Sequence, residues 1–390
     1  MRIAVLTREF PPEVYGGAGV HVEYLAPALS EFVDVEVHCF GATRPSPLVA
    51  GTYLPWPALA AVGVDGGSLG VMSVDLAMAG AVAGADLVHS HTWYTNLAGH
   101  LAGLVHGIPH VLTAHSLEPL RPWKAEQLGG GYALSSFFER TAMEGAAAIV
   151  AVSSAMGRDI VAAYPSVDPG RVHVVPNGID VEAYQPGADT AALVRLGVDP
   201  SRPSVLFVGR MTRQKGIDLL LAAAEDIDPE AQLVLCAAAP DTTALGDELR
   251  TAAEAVAARR GGVVWIEEMV ARSDVVQLMS HATAFVCPSV YEPFGLINVE
   301  AMACGTAVVA TATGGITDVV VDGETGFLVA LEPDGRARFV AELAKRVNEL
   351  LADPARAAEF GRAGRRRVVE SFTWAAVAAR TAEVYRQVLA

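Results

Sequence analysis

The sequence has few cysteines and few basic residues for its length, and these shortages exclude several classes of protein. Four cysteines occur among 390 residues without C-x-x-C spacing, so neither a disulfide scaffold nor a zinc ribbon is expected. They lie in or beside apolar segments, which predicts buried, reduced thiols in a cytoplasmic protein. The 28 Lys and Arg are outnumbered by 44 Asp and Glu, and the formal net charge is −16. Because nucleic acids and anionic membranes require a basic surface, we expect neither as a partner.

Long apolar runs and the common nucleotide-binding motifs are also missing. No apolar run reaches the roughly 18 residues of a membrane span. The apolar residues Ile3–Leu6 lie between charges, which predicts a first strand rather than a signal peptide. Neither G-x-G-x-x-G nor a Walker A loop occurs, so a nicotinamide oxidoreductase has no support. An anionic small molecule remains compatible with the charge if a few cations converge in one cleft.

What the sequence does contain is a repeated alternation of short apolar runs with helical patterns. Hydrophobic residues make up 52% of the chain, enough for sizeable cores in two or three domains. The alternation predicts an α/β protein with parallel sheets covered by helices on both faces. The predicted strands are Ile3–Leu6, Val35–Phe40, Asp86–His89, His110–Thr113, Ala148–Val152, Val172–Val175, Val205–Gly209, Leu233–Ala237, Val263–Ile266, Ala284–Cys287, Ala307–Ala310 and Phe327–Ala330.

The turn residues Pro176–Asp180 interrupt this alternation and suggest a boundary between two doubly wound, Rossmann-like domains. We expect the first domain to comprise residues 1–175 and the second residues 176–372. From Arg338 onward the chain is helical in character, and the last helix, 373–390, is predicted to cross back to the first domain. Two such domains would face a central cleft, which is where ligands are expected.

The most informative stretch is Pro288–Glu300, which follows the predicted strand Ala284–Cys287 and runs into a helical pattern. Glu292 lies in the loop and Glu300 about one turn inside the helix. Backbone N–H groups at a helix start favour an anion, and the two carboxylates can accept hydrogen bonds from hydroxyls. Together these groups suit a nucleotide sugar. Taken alone, an E-x7-E pair would more often be a solvated loop acid and a helix-dipole partner.

A basic loop follows the strand Val205–Gly209 and precedes another helix. Arg210 and Lys215 in this loop are placed for a diphosphate and would neutralise the charge that builds on a leaving nucleotide. A solvated basic loop is the competing interpretation.

In the first half, two loops at strand ends carry candidate ligand groups. Gly16 and Gly17 follow the first strand and permit close backbone approach to a ligand, although a plain tight turn explains them as well. His115 follows the fourth strand and could contact a sugar or assist proton transfer. His89-x-His91 has no third ligand nearby in sequence, and Asp226-x-Asp228 fits a helix end, so no metal site is predicted.

In combination, these motifs resemble those of the retaining GT-B glycosyltransferases. The resemblance rests on R-x4-K-G in the second domain, followed by E-P-F-G-x4-E and T-G-G. In the first domain it rests on Phe10–Pro12 with the double glycine, on HSHTWY at 89–94 and on TAHSLEPLRPW at 113–123. It covers nearly the whole chain. More narrowly, the chain is similar to the bacterial glycogen synthase group with α-maltose-1-phosphate synthase activity.

The resemblance implies metal-independent transfer of glucose from ADP-glucose, with retention at the anomeric carbon, without a cofactor and without an enzymatic nucleophile. The acceptor would be glucose 1-phosphate, giving α-maltose 1-phosphate, with slower extension of glycogen or another α-1,4-glucan. The implied catalytic residues are His115, Arg210, Lys215 and Glu292, and the implied donor-binding residues are Gly16, Gly17, Arg210, Lys215, Gly295, Leu296 and Glu300. Arg8, Arg121 and Lys124 are predicted to hold the acceptor phosphate. A homodimer is compatible with the sequence.

Departures from the family pattern bear on the acceptor. Glycogen and starch synthases have a lysine two residues before the double glycine, where this chain has Val14, and an Asp at the place of Thr92. Both changes argue against a long glucan as the sole acceptor. The common G-G-I-P-E appears here as Gly314 to Asp318, a change we expect the loop to tolerate. Three alternatives stay open: a glycogen synthase acting mainly on glucan, a GT-B transferase for a lipid-linked or inositol-type acceptor, and a non-catalytic nucleotide-sugar-binding protein.

Overall fold

The computed structural model describes residues 1–60, 66–122, 124, 130–238 and 240–390. These residues form two compact units. The first unit combines Met1–Gly178 with Trp374–Ala390, and the second is Ile179–Thr373. Each unit has its own parallel sheet and its own apolar core. The predicted α/β class, with two Rossmann-like sheets, is confirmed.

The first unit contains a sheet of seven parallel strands in the order β3-β2-β1-β4-β5-β6-β7. Its central strands are buried along their whole length, as expected when helices cover both faces of a parallel sheet. The strands are β1 (Arg2–Thr7), β2 (Asp34–Phe40), β3 (Val49–Tyr53), β4 (Leu87–His91), β5 (His110–Ala114), β6 (Ala148–Ala151) and β7 (Val172–Val174).

The second unit contains six parallel strands in the order β10-β9-β8-β11-β12-β13. The strands are β8 (Ser204–Arg210), β9 (Gln232–Ala238), β10 (Val263–Ile266), β11 (Ala284–Cys287), β12 (Ala307–Thr311) and β13 (Gly326–Val329).

Helices connect these strands, and their apolar faces cover the sheets. In the first helix, Val22, Leu25, Ala26 and Leu29 are all buried, as the i, i+3, i+4, i+7 pattern predicts. The described helices are α1 (Gly17–Leu29), α2 (Pro57–Ala60), α3 (Gly66–Ala81), α4 (Trp93–His106), α5 (Gly131–Gly145), α6 (Ser154–Ala163), α7 (Ala191–Arg195), α8 (Ile217–Ala223), α9 (Thr243–Arg259), α10 (Arg272–His281), α11 (Leu296–Ala303), α12 (Ile316–Val319), α13 (Arg336–Ala352), α14 (Pro354–Ser371) and α15 (Trp374–Leu389).

The strand order places the candidate motifs at switch points of the two sheets. β1 lies between β2 and β4, and β8 lies between β9 and β11, so connections leave in opposite directions on either side of each of these strands. Ligands bind at the carboxyl ends of strands at such points. In the second unit, the basic loop after β8 therefore adjoins the acidic loop after β11.

Two features differ from the sequence-based expectation. The edge strand β3 was not predicted, because its sequence VAGTY is short, contains glycine and is only partly buried. The C-terminal region consists of three helices rather than one continuous run. Asp353 ends α13, and its carboxylate accepts the Arg356 N–H at 3.0 Å, while Pro354 occupies the first position of α14.

The last helix belongs to the core of the first unit, as predicted. Val377, Ala378 and Tyr385 of α15 are fully buried in the same apolar cluster as β1 and α1. At the boundary, the ends of the second unit meet each other. The Ile179 N–H donates to the Phe372 carbonyl at 2.8 Å, and Ile179 forms a β-bridge with Thr373.

Candidate active site

The second unit brings the predicted lysine and the first predicted glutamate into direct contact. Lys215 ends a 3₁₀ turn, Arg213–Lys215, and its Nζ donates to Glu292 Oε2 at 2.6 Å. Burial works to lower the pKa of the ammonium, but the Glu292 charge and hydrogen bond outweigh it, so the pKa of Lys215 is raised. Lys215 therefore stays charged throughout the physiological pH range. Glu292 also accepts a long hydrogen bond of 3.4 Å from Ser289 Oγ.

Glycines at two loop positions make this contact possible. Gly216 has φ +63°, and an added Cβ would lie 2.1 Å from the Pro288 carbonyl oxygen. Gly314, in the T-G-G motif, has φ +51°, and its Cβ would lie 2.0 Å from the Glu292 carbonyl oxygen. The Gly315 N–H donates to that same oxygen at 2.8 Å. The T-G-G motif thus supports the backbone of Glu292, which the sequence alone did not reveal.

Arg210 lies at the carboxyl end of β8 with its side chain 65% exposed. Its Nη1 is 3.5 Å from Asp241 Oδ1, a long contact that leaves the guanidinium available to a ligand. Its positive charge acts on Lys215, which shows that the two cations lie near each other.

The amides predicted to bind an anion lie at the start of α11. Gly295 precedes the helix with φ +93°, and Leu296 is its first residue. The first N–H groups of a helix have no partner within it and carry the positive end of its dipole. The Asn298 Nδ2 group donates to Cys287 Sγ at 3.6 Å and so ties this turn to the end of β11.

Glu300, in α11, is held by groups that the sequence did not single out. Burial raises the pKa of its carboxyl to about 7, although the Tyr184 hydroxyl and the charges of Arg272 and Lys215 partly counter this. Burial and the neighbouring Glu300 charge raise the pKa of Tyr184. The Tyr184 carbonyl accepts from Arg365, which also bonds Ala303 at the end of α11. No periodic pattern marks Tyr184, so sequence reasoning had no signal for it.

We expect Glu300→Gln to weaken donor binding and to stabilise the protein at alkaline pH. The pKa of Glu300 is raised from 4.5 to about 7, so its contribution to stability is present below 4.5 and lost as the pH rises through 7. An amide cannot ionise and therefore avoids this loss. It also replaces a carboxylate that would accept ribose hydroxyls, so the KM for the nucleotide sugar should rise about tenfold.

Melting temperatures at pH 6 and pH 8, together with the KM, test this prediction. Glu324→Gln, at an exposed loop position, is the matched control and should change neither quantity. An equal gain in melting temperature at both pH values would contradict the ionisation argument. An unchanged KM would remove Glu300 from the donor site.

In the first unit, His115 lies in a cluster of buried imidazoles. Its Nε2 is 3.1 Å from His91 Nδ1, and its ring packs edge-on against His21. Burial, followed by the neighbouring histidines His21 and His89, holds the pKa of His115 well below its usual range. The ring is therefore neutral at physiological pH and can donate or accept one hydrogen bond to a sugar hydroxyl.

The double-glycine loop of the first unit is organised by a carboxylate from the end of β1. Glu9 Oε2 accepts the N–H groups of Tyr15 at 2.8 Å and Gly16 at 2.9 Å. A Cβ at Gly19 would lie 2.3 Å from the same oxygen and 2.8 Å from Glu9 Cβ, so a side chain there would displace Glu9. The Gly16 amide would contribute to a phosphate only if Glu9 moved, whereas Gly17 starts α1 beside it. Glu9 was not predicted.

The three residues predicted to hold an acceptor phosphate follow β1 and β5 in the chain. The Arg8 guanidinium stacks 4.0 Å from the centroid of the Tyr94 ring. Arg121 Nη1 donates to Ser116 Oγ at 2.9 Å, and the Lys124 N–H donates to the Arg121 carbonyl at 2.9 Å. All three follow strand ends of one sheet. Their role in acceptor binding stays a prediction.

The segment after β5 is joined to a pair of buried carboxyl groups, Glu118 and Glu139, that sequence reasoning missed. The Glu118 N–H donates to Glu139 Oε1 at 2.8 Å, and Ser135 Oγ donates to Glu118 Oε2 at 2.7 Å. Tyr164 donates its hydroxyl to Glu139, and burial raises the pKa of Glu139 to about 8. These bonds tie the loop carrying His115 and Arg121 to α5.

Comparison with known proteins identifies the family. The family described as "Glycosyltransferase Family 4" matches residues 15–183, and "Glycosyl transferases group 1" matches residues 191–367. The α-maltose-1-phosphate synthase of Mycolicibacterium smegmatis is 54% identical over 393 aligned residues, covering 100% of both chains. The chain belongs to the GT-B glycosyltransferases. Within this family it groups with the α-maltose-1-phosphate synthases, and it is an enzyme of the hexosyltransferase class.

Further relatives of this glycosyltransferase include proteins with the same name and proteins with other names. The α-maltose-1-phosphate synthase of Mycobacterium tuberculosis is 53% identical, again over 100% of both chains. D-inositol 3-phosphate glycosyltransferase 2 of Catenulispora acidiphila is 33% identical over 317 residues, which is 77% of this chain and 70% of that one. Among solved structures, sucrose-phosphate synthase from Thermosynechococcus elongatus superposes with a TM-score of 0.76 at 28% identity, covering 99% of this chain and 98% of that one.

Two further predictions concern membrane-spanning segments and the His89-x-His91 pair. In the part of the chain that it describes, no helix combines the length and apolar character needed to cross a membrane. The His91 ring packs not only near His89, its neighbour in the H-x-H pattern, but also near His21 and His115. Sequence spacing could not show this, because His21, His91 and His115 come from different elements.

Proposed function

We propose that this glycosyltransferase transfers glucose from ADP-glucose to glucose 1-phosphate and so forms α-maltose 1-phosphate, with slower extension of α-1,4-glucan. The observation that carries the proposal is the 54% identity, over the full length, to the α-maltose-1-phosphate synthase of Mycolicibacterium smegmatis. The contact between Lys215 and Glu292 and the neighbouring Arg210 support it, because they supply charges for a sugar diphosphate.

In the proposed reaction, the bond between the anomeric carbon and the β-phosphate oxygen breaks as the acceptor O4 attacks the same carbon. The O4 proton passes to the leaving phosphate oxygen, on the same face, so the configuration is retained. Arg210 and Lys215 stabilise the charge on the departing diphosphate, work that a metal ion would otherwise perform. The amides of Gly295 and Leu296 add the positive end of a helix dipole. The reaction as proposed needs no metal and no cofactor.

The remaining residues bind and orient the two substrates. Glu300 accepts the ribose hydroxyls of the donor, and Glu292 contacts hydroxyls of its glucose. In the proposal, His115 contacts the transferred sugar as a neutral ring, because desolvation holds its pKa well below the usual range. Arg121, held by Ser116, and the other two loop cations hold the acceptor phosphate.

Product analysis with competing donors and acceptors tests the proposal. We would incubate the protein with ADP-glucose or UDP-glucose and with glucose 1-phosphate or glycogen, and identify products by NMR. The expected product is α-maltose 1-phosphate, formed faster from ADP-glucose than from UDP-glucose. Labelled glycogen without labelled disaccharide phosphate would contradict the acceptor and favour a glycogen synthase.

The same experiment should also include D-inositol 3-phosphate as an acceptor. The 33% identity to a D-inositol 3-phosphate glycosyltransferase supports a phosphate-bearing cyclic polyol as an alternative acceptor. Transfer to D-inositol 3-phosphate but not to glucose 1-phosphate would replace the first proposal with this one. If neither ADP-glucose nor UDP-glucose is consumed with any of the acceptors, a non-catalytic binding protein would be favoured.

We also propose a cytoplasmic location, and the oligomeric state, monomer or homodimer, is to be measured. All four cysteines are buried and free, as is usual in a reducing compartment. Cell fractionation would test the location, and sedimentation of the purified protein would report the oligomeric state.

A further inference from the structure

Three histidines from separate elements converge at the carboxyl edge of the first sheet. His21 lies in α1, His91 ends β4, and His115 follows β5, which pairs with β4. One ring nitrogen of each lies within 4.8 Å of one from each of the others. His21 and His91 are only 2% exposed. We call these three residues the histidine cluster.

The ring positions are those of imidazoles arranged around one small cation. The ring centroids are 5.4 Å apart for His21 and His91, 4.8 Å for His21 and His115, and 5.4 Å for His91 and His115. Three imidazoles on a tetrahedral Zn²⁺, with Zn–N of about 2.0–2.1 Å, have centroids roughly 5 Å apart. The 3.1 Å between His91 Nδ1 and His115 Nε2 is close to the roughly 3.3 Å between two ligand nitrogens on such an ion.

Hydrogen bonding leaves part of the cluster unsatisfied. Among the described residues, His21 Nε2 has no hydrogen-bond partner, although it is buried. A buried ring nitrogen without a partner costs free energy, and a cation would satisfy it. The opposite nitrogen of His21 is fixed by Asn177, with 2.8 Å between Nδ1 and Oδ1. A hydrogen bond that the other ring N–H donates to a carbonyl oxygen is the usual support of a metal-binding histidine.

The ligand chemistry selects the type of cation. Neutral imidazole, the predominant form above its ordinary pKa of about 6.5, binds metal through the lone pair of a ring nitrogen. Imidazole nitrogens suit Zn²⁺, Cu²⁺ and Ni²⁺, whereas Mg²⁺ and Ca²⁺ prefer oxygen ligands. Three protein ligands leave one position for water or an anion.

We propose that His21, His91 and His115 form a binding site for Zn²⁺ or a chemically similar cation, and that a cation bound there inhibits glycosyl transfer. The inhibition rests on the proposed function, because that function places His115 beside the transferred sugar. The His115 nitrogen that holds the cation cannot also hydrogen-bond the sugar. The cation is thus an inhibitor of the reaction and not its cofactor.

Binding is tested without substrate, by titrating the full-length protein with Co²⁺ in place of Zn²⁺. We expect one Co²⁺ per chain, with the visible absorption of a tetrahedral site and without a sulfur-to-cobalt charge-transfer band. Zn²⁺ should displace the Co²⁺ and raise the melting temperature, because the cation binds the folded state. Absence of Co²⁺ absorption in the wild type, or a sulfur band from the cysteines, would overturn the site.

Variants locate the cation. Asn177→Ala removes the support of His21 and should weaken Co²⁺ binding about 10–100-fold. His21→Gln removes a ligand and should weaken it at least as much. His106→Gln, on the half-buried end of α4, is the matched control and should bind Co²⁺ like the wild type. Equal affinity in all four proteins would overturn the assignment to the histidine cluster.

Inhibition is measured separately with whichever acceptor the enzyme uses. Zn²⁺ should lower the transfer rate of the wild type, a chelator should restore it, and Asn177→Ala should require about 10–100-fold more Zn²⁺ for the same effect. Co²⁺ binding with unchanged transfer would keep the site but overturn the inhibition. Because the Co²⁺ titration uses no substrate, its outcome does not depend on whether ADP-glucose is the donor.

Discussion

Lys215→Ala should lower kcat by about a hundredfold to a thousandfold. The ammonium lies next to Glu292 and near Arg210, where a departing diphosphate would develop negative charge. Removing one preorganised donor to such charge typically costs this much in rate. The loss should fall on kcat as well as on kcat/KM, because the charge is greatest in the transition state.

Arg213→Ala is the matched control for this prediction. Arg213 lies in the same 3₁₀ turn, but its side chain is 73% exposed and its Nη2 is 3.5 Å from Glu248. Its replacement should leave the transfer rate near that of the wild type. Initial rates with saturating donor, together with melting temperatures, are the measurements. Equal rates in the two variants would remove Lys215 from the catalytic role.

The double variant Lys215→Ala/Glu292→Gln separates catalysis from stability. The single change leaves Glu292, which is 8% exposed, without its partner, so some loss of stability is expected. Replacing the carboxylate by an amide removes the unpaired charge and should restore the melting temperature. It should not restore kcat, because the ammonium is still missing. Recovery of kcat would show that the loss in Lys215→Ala came from the unpaired charge of Glu292 and not from the missing ammonium.

Acidification should destabilise the first unit strongly, because several of its buried histidines must gain a proton. Burial lowers the pKa of His21 to about 4 and the pKa of His110 to about 3, against 6.5 in the unfolded chain. Below pH 6.5 the unfolded chain binds more protons, so this stability is present above 6.5 and is lost as the pH falls towards the folded pKa. For His21 alone, the loss by pH 4 is about 3 kcal/mol.

His110→Gln should make the protein less sensitive to acid. Its ring bonds Ser90 Oγ at 2.8 Å, a contact that a glutamine amide can retain, and glutamine does not titrate. The free energy of unfolding should therefore fall less steeply between pH 6.5 and pH 4 than in the wild type. His106→Gln is again the control. Parallel pH profiles for wild type and His110→Gln would contradict the prediction.

The sequence predicted most strands because buried parallel strands are short apolar runs with clear boundaries. β11 and β12 are buried throughout, and their predicted bounds match within one residue. The edge strand β3 lacks this signal because one side of it has no neighbouring strand. The chemistry of the R-x4-K-G and E-x7-E motifs and the family resemblance assign both motifs to one ligand, and the structure shows that β8 and β11, at whose ends they lie, are neighbours in the sheet.

Contacts between elements far apart in sequence could not be predicted. Tyr184 reaches Glu300, and His21 reaches Asn177 across 156 positions, without any pattern in either segment. Glu9 likewise caps the glycine loop through backbone amides, which every sequence has. Such contacts depend on how loops pack after the sheet has formed, and one sequence carries no record of them.

The bond between Ile179 and Phe372 makes the second unit a self-closing insertion. Its first and last residues are neighbours, so it can be replaced by a homologous module of different donor preference with only two closely spaced junctions. A hybrid that keeps residues 1–178 and 374–390 would retain the loops after β1 and β5 in one continuous fold. Under the proposed function, donor and acceptor preference could then change independently during evolution, and the same exchange could be made in the laboratory.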